Sequence, residues 1–336
     1  MPHAPTGDEV PPAGTGQVPR AATSDEAPVV TVTGPLAEAE GRSVLGLAET
    51  AAGRDGVGPL SEHVLLHARY GGDAGARNLL LTIGPRLTGY GHLDPAGQAG
   101  THQGPAAEIV IHPDYRRRGF GLTLARALLA EAAPDPLRVW AHGDLPAARA
   151  LAARAGFARI RSLWTMRRPL TDPLPDPVFP PGVTVRTFRV GADEAAWLDL
   201  NRKAFASHPE QGAWTAEDLS LREREPWFDP DGFFLAERDG KLAGFHWTKI
   251  HAAPPAVGEV YVVGVDPAGQ GGGLGRALTL AGLHYLRSRG LPEVMLYVDE
   301  DNRPAIRLYE SLGFIHEGTD VMFQHPGQGP ASASLH

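Results

Sequence analysis

The most regular feature of the chain is a succession of short apolar runs and amphipathic stretches that occurs twice. In the second half, residues 233–238 and 241–250 are rich in aromatic and β-branched side chains, and Asp239 and Gly240 join them as a hairpin turn pair. Residues 259–265 read as an apolar strand, 274–288 carry apolar side chains at helical spacing, and 293–298 form a further strand. A helix over 304–312 follows, with Pro304 in its first turn. The first half repeats this order, with strands at 78–83, 86–93, 107–111 and 137–141 and helices at 121–132 and 146–155. Strands interleaved with helices predict an α/β fold on a mixed (α+β) sheet, twice over.

The two halves also match residue by residue. Ile111, Pro113, Gly119 and Gly121 align with Val265, Pro267, Gly273 and Gly275 at a constant offset of 154. Further on, Ala155, Gly156 and Phe157 match Leu312, Gly313 and Phe314 at an offset of 157. Two matches in one order and at nearly one offset mark a duplication. The expected organisation is a leader over 1–38, rich in Pro, Gly, Ala and Thr and disordered, without the basic start and apolar middle of a signal peptide. A first domain over 39–168 follows, then a Pro-rich linker over 169–182, a second domain over 183–325, and a disordered tail over 326–336.

Composition narrows the function classes. The 336 residues are 42% hydrophobic and 21% charged, ordinary for a globular protein with a core in each domain. A formal net charge of −8 argues against a nucleic-acid partner held by phosphate neutralisation. The chain has no cysteine, which excludes disulfides, thiolate metal sites and a cysteine nucleophile and fits a cytoplasmic protein. No apolar run is long enough to span a bilayer, so no membrane partner is expected. No His/Asp cluster suggests a metal, and a monomer is expected.

Gln270, Gly271, Gly272, Gly273, Leu274, Gly275 and Arg276 follow a strand and open a helix. Glycines permit close backbone approach, and exposed N–H groups at a helix N-terminus bind a pyrophosphate. A Rossmann fingerprint or P-loop competes, although no Lys-Ser/Thr follows the last glycine; an ordinary strand–helix turn is the bland alternative. The first half has Arg116, Arg117, Arg118, Gly119, Phe120 and Gly121 there. A tight dinucleotide turn tolerates those arginines poorly; ligation and a solvated basic surface are the two readings of the run.

The combination of this loop with Asn302, Ala305, Leu308, Tyr309, Leu312, Gly313 and Phe314 (N-x-x-A-x-x-L-Y-x-x-L-G-F) resembles the GNAT acetyltransferases, and both ordered halves are covered. The resemblance implies acetyl-CoA between two splayed strands. Its pyrophosphate would lie on Gln270 to Arg276 and its pantetheine on Val263, Gly264 and Val265. The other wall would be Asn302, Arg303, Pro304, Ala305, Ile306 and Arg307. In the first half the matching positions are Val110, Ile111, His112, Arg118, Gly119, Phe120, Gly121, Leu122 and Thr123.

Acetyl transfer to an amine needs a base for the ammonium proton and a donor for the departing thiolate. By the resemblance, Glu259 is the general base and Tyr309 the general acid; taken singly, they read equally as a solvated carboxylate and a core aromatic. In the first half Tyr309 maps to Ala152, Asn302 to Leu145 and Glu259 to Pro105, so that half keeps the loop, lacks the proton-transfer groups and is expected not to catalyse. The strings at 141–143, 164–170, 208–214, 227–232, 244–249 and 258–267 are similar to a tandem-domain branch of the family. That branch acetylates the cysteinyl amine of cysteinyl–glucosaminyl–inositol. By that closer resemblance the acceptor contacts are Glu62, Glu210, Lys249, Glu259 and Tyr297, although Glu62 and Glu210 could be merely exposed and Lys249 could snorkel. The leader is longer and the segment between Leu286 and Leu296 shorter than that pattern. An acetyltransferase of another small amine, such as an aminoglycoside or polyamine, is the alternative. From another class, the alternative is a non-catalytic acetyl-CoA sensor.

Overall fold

The computed structural model describes residues 26–72, 75–96, 104–206, 209–252 and 255–327. The first half contains β1 (Val29–Thr33), α1 (Glu38–Asp55), α2 (Glu62–Tyr70), β2 (Arg77–Ile83), β3 (Arg86–Asp94), β4 (Ala106–Ile111), α3 (Phe120–Ala132), β5 (Leu137–Ala141), α4 (Pro146–Arg154) and β6 (Ala158–Pro169). The second contains β7 (Val183–Thr187), α5 (Glu194–Ala204), α6 (Pro209–Gly212), α7 (Ala216–Glu223), β8 (Phe233–Arg238), β9 (Lys241–His251), β10 (Val257–Val265), α8 (Leu274–Ser288), β11 (Glu293–Asp299), α9 (Arg303–Ser311) and β12 (Ile315–His325).

Period-two alternation distributes the strands between two helical layers. Along β2, Leu79, Leu81 and Ile83 pack with Phe120, Leu124 and Leu128 of α3, while Leu80 packs with Val44, Leu47 and Val64 of α1 and α2. In the second half, Trp197 and Leu200 of α5 pack on Phe233, Leu235, Phe245 and Trp247. On the other face lie Leu274 and Leu278 of α8 with Ala236. Trp197 and Trp247 are fully buried, and truncating either to Ala costs about 3–5 kcal/mol.

Where two separate sheets were expected, there is one twelve-stranded sheet, ordered β1-β2-β3-β4-β5-β12-β6-β11-β10-β9-β8-β7. The halves exchange their last strands. β12, from the second half, pairs with β5 of the first from Val321↔Ala141 to His325↔Leu137. β6, from the first half, pairs with β11 of the second from Glu293↔Pro169 to Asp299↔Leu163. The two exchanged strands pair with each other. A boundary near residue 168 therefore divides the sequence but not the sheet.

The expected leader is corrected at its end: Val29–Thr33 pair with β2 and Leu36 is buried, so structure begins before residue 39. Residues 1–25 lie outside the described residues, as do 328–336 of the expected tail. The expected linker is packed down. Leu170 is buried, its N–H donates to the Pro292 carbonyl, and Arg168 and Arg287 hold carbonyl oxygens of residues 169–173. Among the described residues no helix is long and apolar enough to cross a membrane.

Candidate active site

β10 pairs in parallel with β11 only over Gly258↔Val294, Glu259↔Met295 and Val260↔Leu296. On its other side its register with β9 shifts between Val260 and Val262, a bulge that re-aims the strand. Beyond Val260 the two parallel strands diverge, leaving the backbone of Val263, Gly264 and Val265 beside an open wedge. The first half repeats the wedge: β4 pairs with β5 only from Ala106↔Arg138 to Glu108↔Trp140 and runs against β3 without a bulge.

The loop entering α8 explains its glycines. Gly271 and Gly273 have φ of +88° and +82°, where a Cβ is strained, and Gly273 is the N-cap of α8. The first-half loop makes the same turn, with Gly119 at φ +89° and Arg117 at φ +62° where the second half has glycine. The arginines expected to disfavour the turn are accommodated, at a backbone cost of about 1–2 kcal/mol for Arg117. Arg116 is not available to a phosphate: it binds Asp55 bidentately at 2.6 and 2.7 Å and the Ile111 carbonyl at 3.1 Å.

A cavity of about 730 Å³, the size of a small-molecule site, opens over the first-half wedge. Val110, Ile111, Gly119, Phe120, Gly121 and Leu122 line it; His112, Arg118 and Thr123 do not. The His112 ring accepts the Asp114 N–H, the Arg118 guanidinium reaches the Asp114 carbonyl, and the Thr123 hydroxyl bonds the Gly119 carbonyl. In the second half, Asn302 caps α9, its side chain accepting the Ala305 N–H at 3.2 Å. Arg303, Pro304 and Arg307 are exposed, whereas Ile306 is 4% exposed and packs into the core. Leu274 is likewise core, so its contribution to the loop is its backbone. Arg276 ties α8 to α9 through the Ser311 hydroxyl at 2.7 Å, and Gln270 is exposed.

Four of the five expected acceptor residues can be located. Glu62 opens α2, and its carboxylate takes hydrogen bonds from Lys249 on β9 and from the Tyr261 hydroxyl on β10. Arg222 of α7 donates to the same hydroxyl at 2.8 Å and stands 4.0 Å from the carboxylate. Burial alone would raise the Glu62 carboxyl. The charges of Lys249 and Arg222 and the two hydrogen bonds outweigh it and hold the group below the usual carboxylate range. Glu259 is buried, sits opposite Lys249 in register, and bonds the His251 ring at 2.7 Å. Tyr297 is 45% exposed on β11. Its hydroxyl is pushed up by desolvation and then by the charges of Glu259 and Asp320, which places it in their field. The side chain of Glu210 lies outside the described residues.

Tyr309 is buried in the core against Phe314, and burial pushes its phenol up to about 12. The sequence reading missed Tyr261, Arg222 and the rings of Trp214 and Trp227, which lie 3.8 Å from the Arg222 guanidinium and 4.4 Å from the Lys249 ammonium. Tyr261 stands at the bulge, where simple alternation no longer tells which way a side chain points.

Two expectations are corrected. The first half was expected to lack proton-transfer groups, yet Glu108, 2% exposed, faces His142 at 3.6 Å, and His142 bonds Asp320 of the exchanged β12 at 2.8 Å. The bulge is one residue long, so Glu259 has Ala106 and not Pro105 as its counterpart in strand register, and Glu108 is a separate carboxylate two positions further along β4. No metal-ligating cluster was expected, yet His63, His67 and His92 gather a ring nitrogen each within 4.8 Å of one another. The i, i+4 spacing of His63 and His67 was the available signal.

The model of the acetyltransferase (GNAT) family matches residues 53–157 and 195–314. The chain is 57% identical to a mycothiol acetyltransferase of Acidothermus cellulolyticus over 88% of this chain and 94% of that one. It is 62% identical to one of Thermomonospora curvata over 84% and 93%. Among solved structures it is similar to a GCN5-related N-acetyltransferase of Sphaerobacter thermophilus, at 25% identity and TM-score 0.63 over 90% of this chain and 96% of that one. It shares its fold with a tandem GNAT protein from the clavulanic acid biosynthesis pathway, at 22% identity and TM-score 0.65 over 90% and 100%. The duplicated wedge, the strained loop at a helix N-terminus and these likenesses agree: the chain is an acyltransferase that belongs to the GNAT acetyltransferase family, within the tandem-domain group named mycothiol acetyltransferases.

Proposed function

We propose that the chain transfers acetyl from acetyl-CoA to the cysteinyl amine of cysteinyl–glucosaminyl–inositol, the last step of mycothiol biosynthesis, and that its second half does the chemistry. The observation that carries this reading is the cluster in which a first-half carboxylate, Glu62, meets Lys249 and Tyr261 of the second half beside Glu259. Such a junction of carboxylates, an ammonium and phenols suits an acceptor with one amine and many hydroxyls. It also gives the degenerate half a role in the reaction.

Acetyl-CoA lies in the second wedge, its pyrophosphate on the N–H groups of residues 270–276 and its pantetheine along Val263 to Val265. Asn302 to Ala305 and Arg307 form the far side. The acceptor ammonium loses its proton to Glu259, directly or through one water, and His251 steadies the resulting carboxyl group. The amine lone pair attacks the thioester carbonyl; the C–N bond forms, the C–S bond breaks, and the nitrogen keeps one hydrogen as the amide while its other proton passes to the departing sulfur by way of the Tyr309 phenol or a water. The thiolate of CoA leaves toward Tyr309, whose phenol holds its proton at any physiological pH and supplies it, or a hydrogen bond, to the sulfur. Glu62, Glu210, Lys249 and Tyr297 hold the sugar and inositol. The first-half cavity binds a second CoA-type ligand without turning it over, and the protein works as a cytoplasmic monomer.

The test is CoA release from acetyl-CoA with purified protein and cysteinyl–glucosaminyl–inositol, with the product mass determined. One added acetyl group on the cysteinyl nitrogen, formed far faster than on an aminoglycoside or polyamine, is the expected result. Binding of acetyl-CoA with turnover only on another amine removes the acceptor, and binding without turnover on any amine leaves a sensor.

A further inference from the structure

Outside both wedges, the structure gathers three imidazoles against the first-half sheet. His63 and His67 lie four residues apart on α2 and so share one face of that helix, and His92 comes from β3 beneath it. The ring centroids of His63 and His67 are 4.1 Å apart, and that of His92 is 6.3 and 5.6 Å from them. His67 and His92 are buried, and His63 Nε2, His67 Nδ1 and His92 Nε2 are all buried ring nitrogens. One nitrogen from each ring lies within 4.8 Å of the others.

We propose that His63, His67 and His92 form a binding site for one divalent transition-metal ion of the zinc class. Three neutral imidazoles suit zinc, cobalt or nickel and not the oxygen-seeking magnesium or calcium. Tetrahedral ligands at 2.0–2.1 Å place donor atoms about 3.3 Å apart, so side-chain rotations that close about 1.5 Å complete the site. Its support is built in. His92 Nδ1 is 3.3 Å from the Tyr90 hydroxyl and 3.4 Å from Asn78 Oδ1. The Asn78 side chain is itself fixed, accepting the Tyr90 hydroxyl at 2.5 Å and donating to the Gly34 carbonyl at 2.6 Å. A proton on Nδ1 shared with these oxygens leaves the lone pair on Nε2, as metal-bound histidines require.

The site ties down the helix that spans the halves. Besides Glu62, α2 carries Arg69 and Tyr70, which bind Glu225 of the second half at 2.5 and 2.7 Å, and the Ser61 N–H before it donates to Glu108 at 2.6 Å. A metal joining α2 to β3 fixes the helix whose first residue is Glu62, one position before His63.

The experiment titrates chelator-treated full-length protein with Co²⁺ and follows its visible absorption, then displaces it with Zn²⁺. The expected result is one equivalent bound with the strong absorption of a tetrahedral nitrogen site and a zinc dissociation constant in the micromolar range or tighter. His92→Gln weakens zinc at least 100-fold, and Asn78→Ala weakens it about tenfold through the supporting hydrogen bond. Should either variant fail to fold, a long-range ¹H–¹⁵N spectrum of the wild-type imidazoles decides the matter: the same three rings shift together at one equivalent of zinc. An octahedral cobalt spectrum, binding weaker than about 100 μM, unchanged affinity in folded His92→Gln, or shifts on other histidines overturns the proposal.

Discussion

Replacing His142 by Gln tests the brace that closes the strand exchange. His142 stands between two carboxylates, Asp320 on the exchanged β12 at 2.8 Å and Glu108 at the base of the first wedge at 3.6 Å. The Gly143 and Ser61 N–H groups donate to the same carboxylates at 2.8 and 2.6 Å. Burial alone would lower the imidazolium, but the hydrogen bond to Asp320 and the nearby charges of Glu108 and Asp320 overcome it and push His142 up to about 10. Glutamine keeps the volume and a donor but no charge, leaving two buried carboxylates facing a neutral amide. Removing the centre of such a buried arrangement costs about 3–5 kcal/mol.

The sign of the pH dependence follows from linkage. The folded state holds a proton that the unfolded chain releases near pH 6.5. The stabilisation is therefore complete below about 6.5 and is lost as pH rises toward 10, at no more than about 1.4 kcal/mol per pH unit. Denaturant unfolding of wild type and His142→Gln, followed by tryptophan fluorescence and circular dichroism together, reads this as a stability gap. A gap of about 3–5 kcal/mol at pH 6 that narrows by pH 10 is expected. A gap under 1 kcal/mol at pH 6, or one that does not change with pH, refutes the reasoning.

Two further outcomes follow from the second half. Tyr309→Phe removes one hydroxyl and keeps the ring packed against Phe314. Turnover is expected to fall about 10²- to 10⁴-fold with acetyl-CoA binding unchanged, checked by steady-state kinetics and calorimetry; unchanged turnover removes the phenol from the mechanism. Glu62→Gln loses the charge that pairs with Lys249 and Arg222. The KM for the acceptor is expected to rise at least tenfold with a smaller change in kcat, and an unaltered acceptor KM shows that Glu62 only joins the halves.

Elements whose apolar pattern suits one layer were legible in the sequence: β5, β8 and α8 occupy the expected residues, and most others differ by one or two at their ends. Two of the elements that were not legible, β6 and β12, owe their stability to the partner half. β6 carries Arg159, Arg161, Arg167 and Arg168 along its length, a poor strand signal until Arg161 meets Asp299 and Arg167 meets Glu293 across the exchange. β12 has the same difficulty with His316, Glu317 and Asp320. α2 reads as a weakly amphipathic stretch, because two of its inward positions are the histidines 63 and 67. At the site, the phosphate loop and Tyr309 were visible in the motif. Tyr261 and Arg222 were not, since a bulge and a long-range contact with α7 carry no local pattern.

The central claim, that the second wedge performs the transfer and the first does not, is tested most directly by one matched pair of variants. Gly273→Ala and Gly119→Ala each put a Cβ on a left-handed helix N-cap, at φ +82° and +89°. No atom lies within 4 Å of the added Cβ in either place, so the cost of about 1–2 kcal/mol falls on the backbone that would cradle the pyrophosphate. With both variants shown to be folded, kcat/KM for acetyl-CoA is expected to drop at least tenfold in Gly273→Ala and to stay within about threefold of wild type in Gly119→Ala. An equal loss in both, or the larger loss in Gly119→Ala, contradicts the account.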